Sequence, residues 1–213
     1  VTITIEEIST DPTSLTPSFS NICAAGPVDF TVGGGSLGTG AQWELYSGAG
    51  SCGTTLEGTS LTGTFSGINV SATENYFVLA SGNCNTTNCV STTVTLETLS
   101  TDPSGSTVSN SSICSGDPIT LSVGGGSLGT GATWEWYSGT CGGTPVGSGS
   151  IIILNPTVTN DYFVRAEGFC GITNCDTISV TVTPAPISID SAQANIYTVC
   201  PEDPVQLNAY YSS

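Results

Sequence analysis

The sequence predicts an all-β protein of tandem, disulfide-stapled sandwich repeats, and three observations carry that expectation. A long segment recurs along the chain. Short runs rich in Val, Ile, Thr, Tyr and Phe alternate with Gly- and Ser-rich turns, the mixture of many short strands. Nine cysteines occur without a single histidine.

The repeat is read first, because it divides the chain. Val32 to Ala41, VGGGSLGTGA, returns as Val123 to Ala132, an offset of 123 − 32 = 91 residues. The same offset relates Asp11-Pro12 to Asp102-Pro103, Cys23 to Cys114 and Trp43 to Trp134. Deletions in later turns then bring Cys52 onto Cys141 at 89, and Tyr76, Cys84 and Cys89 onto Tyr162, Cys170 and Cys175 at 86. Val1 to Ile5 match the last strand of a repeat, and a third copy starts near Pro186 and includes Cys200. The expected organisation is therefore 1–7 as a trailing strand, 8–97 and 98–184 as two whole repeats, and 185–213 as the start of a further, truncated one. This arrangement, with no Met and no leading signal segment, reads as a piece of a longer array.

Each repeat yields about seven short alternating segments, the count of an immunoglobulin-like β-sandwich. In the second copy strands are expected near Ile119 to Val123, Thr133 to Tyr137, Ile151 to Leu154, Tyr162 to Glu167 and Ile178 to Val182, with weaker ones before Cys114 and after Cys141. Period-two alternation turns Trp134 and Trp136 inward with Tyr162, Val164 and Ala166. Trp43, Trp134 and Trp136 are thus read as core rather than as a sugar-stacking platform. Tyr46 and Tyr137 point outward and are the better candidates for surface contact.

Seventeen acidic residues face one base, Arg165, for a formal charge of −16. Polyanions are repelled by such a chain, which excludes nucleic-acid binding through a basic patch and disfavours docking on an anionic membrane. No apolar run approaches the roughly 20 residues needed to span a bilayer, so direct membrane insertion is not expected.

Cysteines without histidine point to disulfides in an oxidising, extracellular compartment rather than to zinc. Cys23, Cys52, Cys84, Cys89, Cys114, Cys141, Cys170 and Cys175 supply four per repeat, and four cysteines allow three pairings. The favoured set is Cys23–Cys52, Cys84–Cys89, Cys114–Cys141 and Cys170–Cys175, with bridging between repeats as its main rival.

The loop Gly33 to Gly40 resembles a phosphate cradle only superficially, since no Lys follows and no helix is expected after it. Its glycines are read as structural, serving a tight connection between sheets. No resident cofactor is expected. Calcium is the one ion the joins invite, because Glu6, Asp11, Glu97 and Asp102 gather there, although no spaced Asp-x-Asp-x-Asp loop occurs. Without His, a Ser or Cys nucleophile lacks its usual base, and no carboxylate pair stands out, so no enzyme is indicated.

Asn21-Ile22-Cys23, GGGSLGTGA, Trp134 to Thr144 and Pro156 to Gly168 together resemble the repeats of the SprB-type gliding-motility surface adhesins exported by the type IX secretion system. The resemblance covers nearly the whole chain; the first copy departs from it with Leu45 for the second Trp and Leu79 for the Arg. It implies an immunoglobulin-like filament on the bacterial cell surface that contacts an extracellular surface or polysaccharide while its neighbours are further repeats. It also implies O-glycosylation at Asp-Ser/Thr-apolar triplets, which Asp176-Thr177-Ile178 and Asp190-Ser191-Ala192 fit. The functional expectation is an adhesive, extending repeat. The alternatives are a carbohydrate-binding accessory module of a secreted enzyme and a passive structural stalk.

Overall fold

The computed structural model describes residues 3–184, 191–194, 198, 200–202 and 204–210. The chain divides into two compact units. The first comprises Val1–Asp102 with Gly126–Thr133 and Ala166–Thr173, the second Pro103–Gly125, Trp134–Arg165 and Asn174–Ser213.

In the first repeat the strands are β1 (Ser14–Pro17), β2 (Asn21–Ile22), β3 (Gly26–Gly33), β4 (Gln42–Ser47), β5 (Thr55–Ser60), β6 (Thr64–Val70), β7 (Glu74–Ser81) and β8 (Val90–Leu96). They form a sheet of order β1-β3-β6 and a second of order β2-β8-β7-β4-β5. The leading segment serves both sheets, because β1 runs antiparallel to β3 while β2 runs parallel to β8. Pro17 closes β1 on an edge, where a residue without an N–H costs no ladder bond. β4 shows why the sequence makes these strands: Trp43, Leu45 and Ser47 are buried, and Gln42, Glu44 and Tyr46 alternate with them on the wetter face.

The second repeat follows the same plan. Its strands are β9 (Thr107–Val108), β10 (Ser112–Cys114), β11 (Ile119–Ser122), β12 (Thr133–Ser138), β13 (Thr144–Ser148), β14 (Ile151–Leu154), β15 (Asn160–Gly168), β16 (Gly171–Ile172) and β17 (Asp176–Thr183). The sheets are β14-β11-β9 and β10-β17-β15-β12-β13, with β16 paired to β15. Trp134, Trp136, Tyr162, Val164 and Ala166 are buried, as alternation requires. Beyond it, β18 (Ser191–Ala194) and β19 (Leu207–Tyr210) pair antiparallel. Ile3 to Ile5 form no strand, contrary to expectation, and Ile3 and Ile5 are exposed. Apolar alternation marks a segment able to pair, but a strand exists only where a neighbouring ladder accepts its hydrogen bonds.

The two cores fill the same space with different shapes. In the first, Phe30 faces Phe65 across β3 and β6, and Leu45 completes the layer from the other sheet. At the equivalent places of the second, Leu121 faces Ile152 and the third residue is Trp136. Two phenylalanines with a leucine are exchanged for leucine, isoleucine and tryptophan, so volume moves between sheets while the interior stays filled. The Trp136 indole N–H donates to the Gly149 carbonyl at 2.9 Å, which satisfies the one polar atom that this exchange buries.

This complementarity predicts coupling. Leu45→Trp alone overpacks the first core and destabilises it by about 1–3 kcal/mol. Adding Phe30→Leu and Phe65→Ile recovers most of that loss in denaturant unfolding. Additive losses in the triple variant would show that the three positions do not share one volume.

Candidate functional site

The segment leading into each repeat lies against the glycine-rich loop, and the two copies do this with the same bonds. In the first copy Glu7 N–H donates to Thr39 Oγ1 and Thr39 N–H returns a bond to the Glu7 carbonyl, both at 3.0 Å. Gly38 N–H donates to Ser9 Oγ at 2.9 Å, and Thr10 N–H to the Ser36 carbonyl at 2.9 Å. In the second copy Thr98 exchanges the corresponding pair with Thr130, Gly129 N–H donates to Ser100 Oγ at 2.9 Å, and Thr101 N–H to the Ser127 carbonyl at 2.9 Å.

Glycine is needed here for closeness. A Cβ on Gly38 would fall 2.7 Å from the Ile8 carbonyl carbon and closer still to the Glu7 carbonyl oxygen; on Gly129 it would meet Leu99 and Thr98 in the same way. Gly35 and Gly126 add a conformational demand, with φ of +70° in both, which L side chains rarely adopt. The loop thus serves as a backbone clasp for an incoming linker. Sequence reasoning found the loop but missed its partners, Ser9 and Ser100, although Ser-Thr-Asp-Pro stands before the loop in both copies.

Further side chains hold the first linker. Asn85 accepts from Ser9 N–H at 2.8 Å and donates to the Ser9 carbonyl at 2.9 Å. Asp11 accepts from the backbone N–H of Asn88 at 3.0 Å and from its side-chain amide at 2.8 Å. Glu6 accepts from the Cys84 thiol at 3.4 Å, and Glu97 from the Asn21 amide at 2.6 Å. Glu6, Asp11 and Glu97, among the acidic residues proposed for calcium, thus engage protein donors. Among the described residues no group of three or more Cys, Asp or Glu converges as a metal site.

Three disulfides form: Cys23–Cys170, Cys52–Cys89 and Cys141–Cys175. None of the favoured pairings is among them. Cys23 follows β2 on one edge of its sheet, whereas Cys52 lies in the turn that joins β4 to β5, the strand at the other edge. At least three strand spacings of about 4.8 Å separate them, while a bridge requires Cα atoms roughly 4.4–6.8 Å apart. Cys84 and Cys89 share a loop but not a place. That loop folds back along β7, with Thr87 N–H bonded to the Ala80 carbonyl, so Cys84 stays at the tip and Cys89 returns beside β8. There it meets Cys52, with Cα atoms 5.8 Å apart. Cys141–Cys175 is the register-equivalent bridge of the second copy. Cys23–Cys170, with Cα atoms 5.4 Å apart, realises the rival reading, a link between cysteines of successive repeats, and lies wholly within the first compact unit. Cys84 and Cys114 are exposed thiols.

The remaining expected positions lie on the surface or partly below it. Tyr46 is half-buried and donates to Glu44 at 2.7 Å; this bond, followed by burial and the Glu44 charge, raises its pKa above the ordinary tyrosine value. Tyr137 is also half-buried, with the Arg165 guanidinium 5.0 Å from its ring centroid. Thr177 is exposed on β17, where Asp176 accepts from its N–H at 2.9 Å and from that of Ser106 at 2.6 Å. Ser191 is exposed at the start of β18, and Asp190 lies outside the described residues.

Two outcomes follow from the clasp and its thiol. Gly38→Ala pushes the linker off the loop, and amide exchange at Glu7 to Thr10 accelerates at least tenfold; unchanged exchange would refute the close-approach reading. The Glu6 carboxylate holds the Cys84 thiol in its neutral form, through the hydrogen bond first and its charge as well, and so raises the thiol pKa. Glu6→Gln therefore moves the pH profile of Cys84 alkylation to lower pH, as read by peptide mass spectrometry.

Residues 102–184 match the family model described as "Ig-like domain CHU_C associated". No curated protein matches the sequence. Among solved structures, murine CEACAM1b is 14% identical at a TM-score of 0.53, covering 80% of this chain and 100% of its own. A structure described as the basis for Dscam isoform specificity is 12% identical at a TM-score of 0.44, covering 84% of this chain and 47% of its own. The match and the first of these likenesses agree with the strand order described above: the fold is all-β and immunoglobulin-like.

Proposed function

We propose that this chain is a repeat segment of a large secreted cell-surface adhesin, extending and presenting an adhesive surface in gliding motility or attachment. The observation that carries the reading is the repeated clasp, in which two successive linkers are held by equivalent hydrogen bonds, a device suited to passing a chain from sandwich to sandwich. Three disulfides fit an oxidising compartment outside the cell. The "CHU_C associated" match over the second repeat and the resemblance to SprB-type repeats support export by the type IX system. Recognition of an extracellular surface or polysaccharide is assigned to the exposed sheet faces that carry Tyr46 and Tyr137, with no catalytic step. Thr177 and Ser191 are the proposed glycan acceptors.

Antibodies raised against the chain should label intact cells of the producing organism, and an in-frame deletion of the repeats should reduce attachment to glass several-fold. Labelling that requires permeabilised cells would refute surface display. Attachment unaffected by the deletion favours a passive stalk, and sharp binding of a single repeat on a glycan array favours an accessory module. Added hexose mass on peptides containing Thr177 and Ser191 in protein from the native host tests the modification.

A further inference from the structure

The disulfides leave one cysteine of each repeat without a partner of its own register. Cys52–Cys89 and Cys141–Cys175 close within their repeats, and Cys23–Cys170 joins the first cysteine of one repeat to the third of the next. Cys114 is the equivalent of Cys23, and Cys84 the equivalent of Cys170. We propose that Cys114 and Cys84 are the two halves of another such bridge: Cys114 takes the Cys84-type thiol of a following repeat, and Cys84 takes the Cys114-type thiol of a preceding one.

Local geometry supports the equivalence. Near Cys23, Thr95 N–H donates to the Ser20 carbonyl at 2.8 Å; near Cys114, Thr181 N–H donates to the Ser111 carbonyl at 2.8 Å. β2 and β10 both run parallel to the last strand of their sandwich. The loops carrying the other half also coincide. Thr87 N–H reaches the Ala80 carbonyl and Thr173 N–H the Ala166 carbonyl, each at 3.0 Å, and the side-chain hydroxyls of Thr87 and Thr173 accept from Ala80 and Ala166 at 2.8 and 2.9 Å. Gly82 and Gly168 pack in the same way against Ala41 and Ala132, where an added Cβ would lie 2.6 and 2.7 Å from the alanine Cβ. Each exposed thiol is thus presented as its bonded counterpart is. Cys84 meets the Glu6 carboxylate, while Glu97, the equivalent of Glu6, bonds Asn21, two residues from the bridged Cys23.

The bond requires an external disulfide such as oxidised glutathione. One thiolate attacks it and releases a glutathione thiol, and the second thiolate then displaces the other. Two protein thiols lose two protons and two electrons, one S–S bond forms, and the oxidant becomes two thiols.

The test joins two copies of residues 8–184 head to tail. In a matched fusion, Cys84→Ser in the first copy and Cys114→Ser in the second leave Cys114 ahead of Cys84 across the new join. In a reversed fusion, Cys114→Ser in the first copy and Cys84→Ser in the second place the two thiols at the outer ends. After oxidation the matched protein should lose both alkylatable thiols and yield a Cys114–Cys84 peptide beside Cys23–Cys170. The reversed protein should keep both. A second arm mixes full chains carrying Cys84→Ser and Cys114→Ser, each with Cys200→Ser; a covalent dimer found only in the mixture places the bond between chains. Two free thiols in the matched protein with no dimer in the mixture would overturn the proposal, as would equal bridging in both joined proteins.

Discussion

A gap of about 10 Å separates the two sheets of a sandwich, and everything else in this molecule depends on how that gap is filled. Strands this short cannot hold themselves apart or together through ladder bonds alone. The interior must therefore be dense enough that one register is preferred over a slipped one. Phe30, Phe65 and Leu45 do this in the first repeat, and Leu121, Ile152 and Trp136 in the second. Bulk is assigned to opposite sheets in the two copies, and all six side chains are buried.

With the strands held, the loops at the leading end become precise enough to act. The glycine-rich loop approaches a linker backbone more closely than any side chain would allow, and it does so twice. At the first place of the clasp the linker contributes only its backbone N–H and carbonyl to the shared pair of bonds, which explains how Glu7 and Thr98 can occupy it alike. Side chains add to it in both copies: the Ser9 and Ser100 hydroxyls accept from the loop, and the Thr39 and Thr130 hydroxyls accept from the linker.

The cysteines add covalent restraint at two levels. One bridge per repeat ties the turn after the tryptophan strand to the return of the last hairpin, shortening the loops available to the unfolded chain. The other kind connects the β2 position of one repeat to the hairpin tip of the next.

Much of this was legible in the residues themselves. The 91-residue offset, the alternation of Trp134 and Trp136 with Glu135, and the short Val-, Ile- and Thr-rich runs between Gly- and Ser-rich turns determined the repeat, the inward faces and the all-β class, because each is a pattern along one chain. Disulfide pairing and the role of the glycine loop depend instead on distance between segments far apart in sequence. The hairpin between β7 and β8 turns back along its own strand, carrying Cys89 away from Cys84, and β2 lies across the sheet from Cys52. Alternation along a strand says nothing about either displacement. Only the assembled sheets determine which thiols come within bonding distance and which backbone the glycines must leave room for.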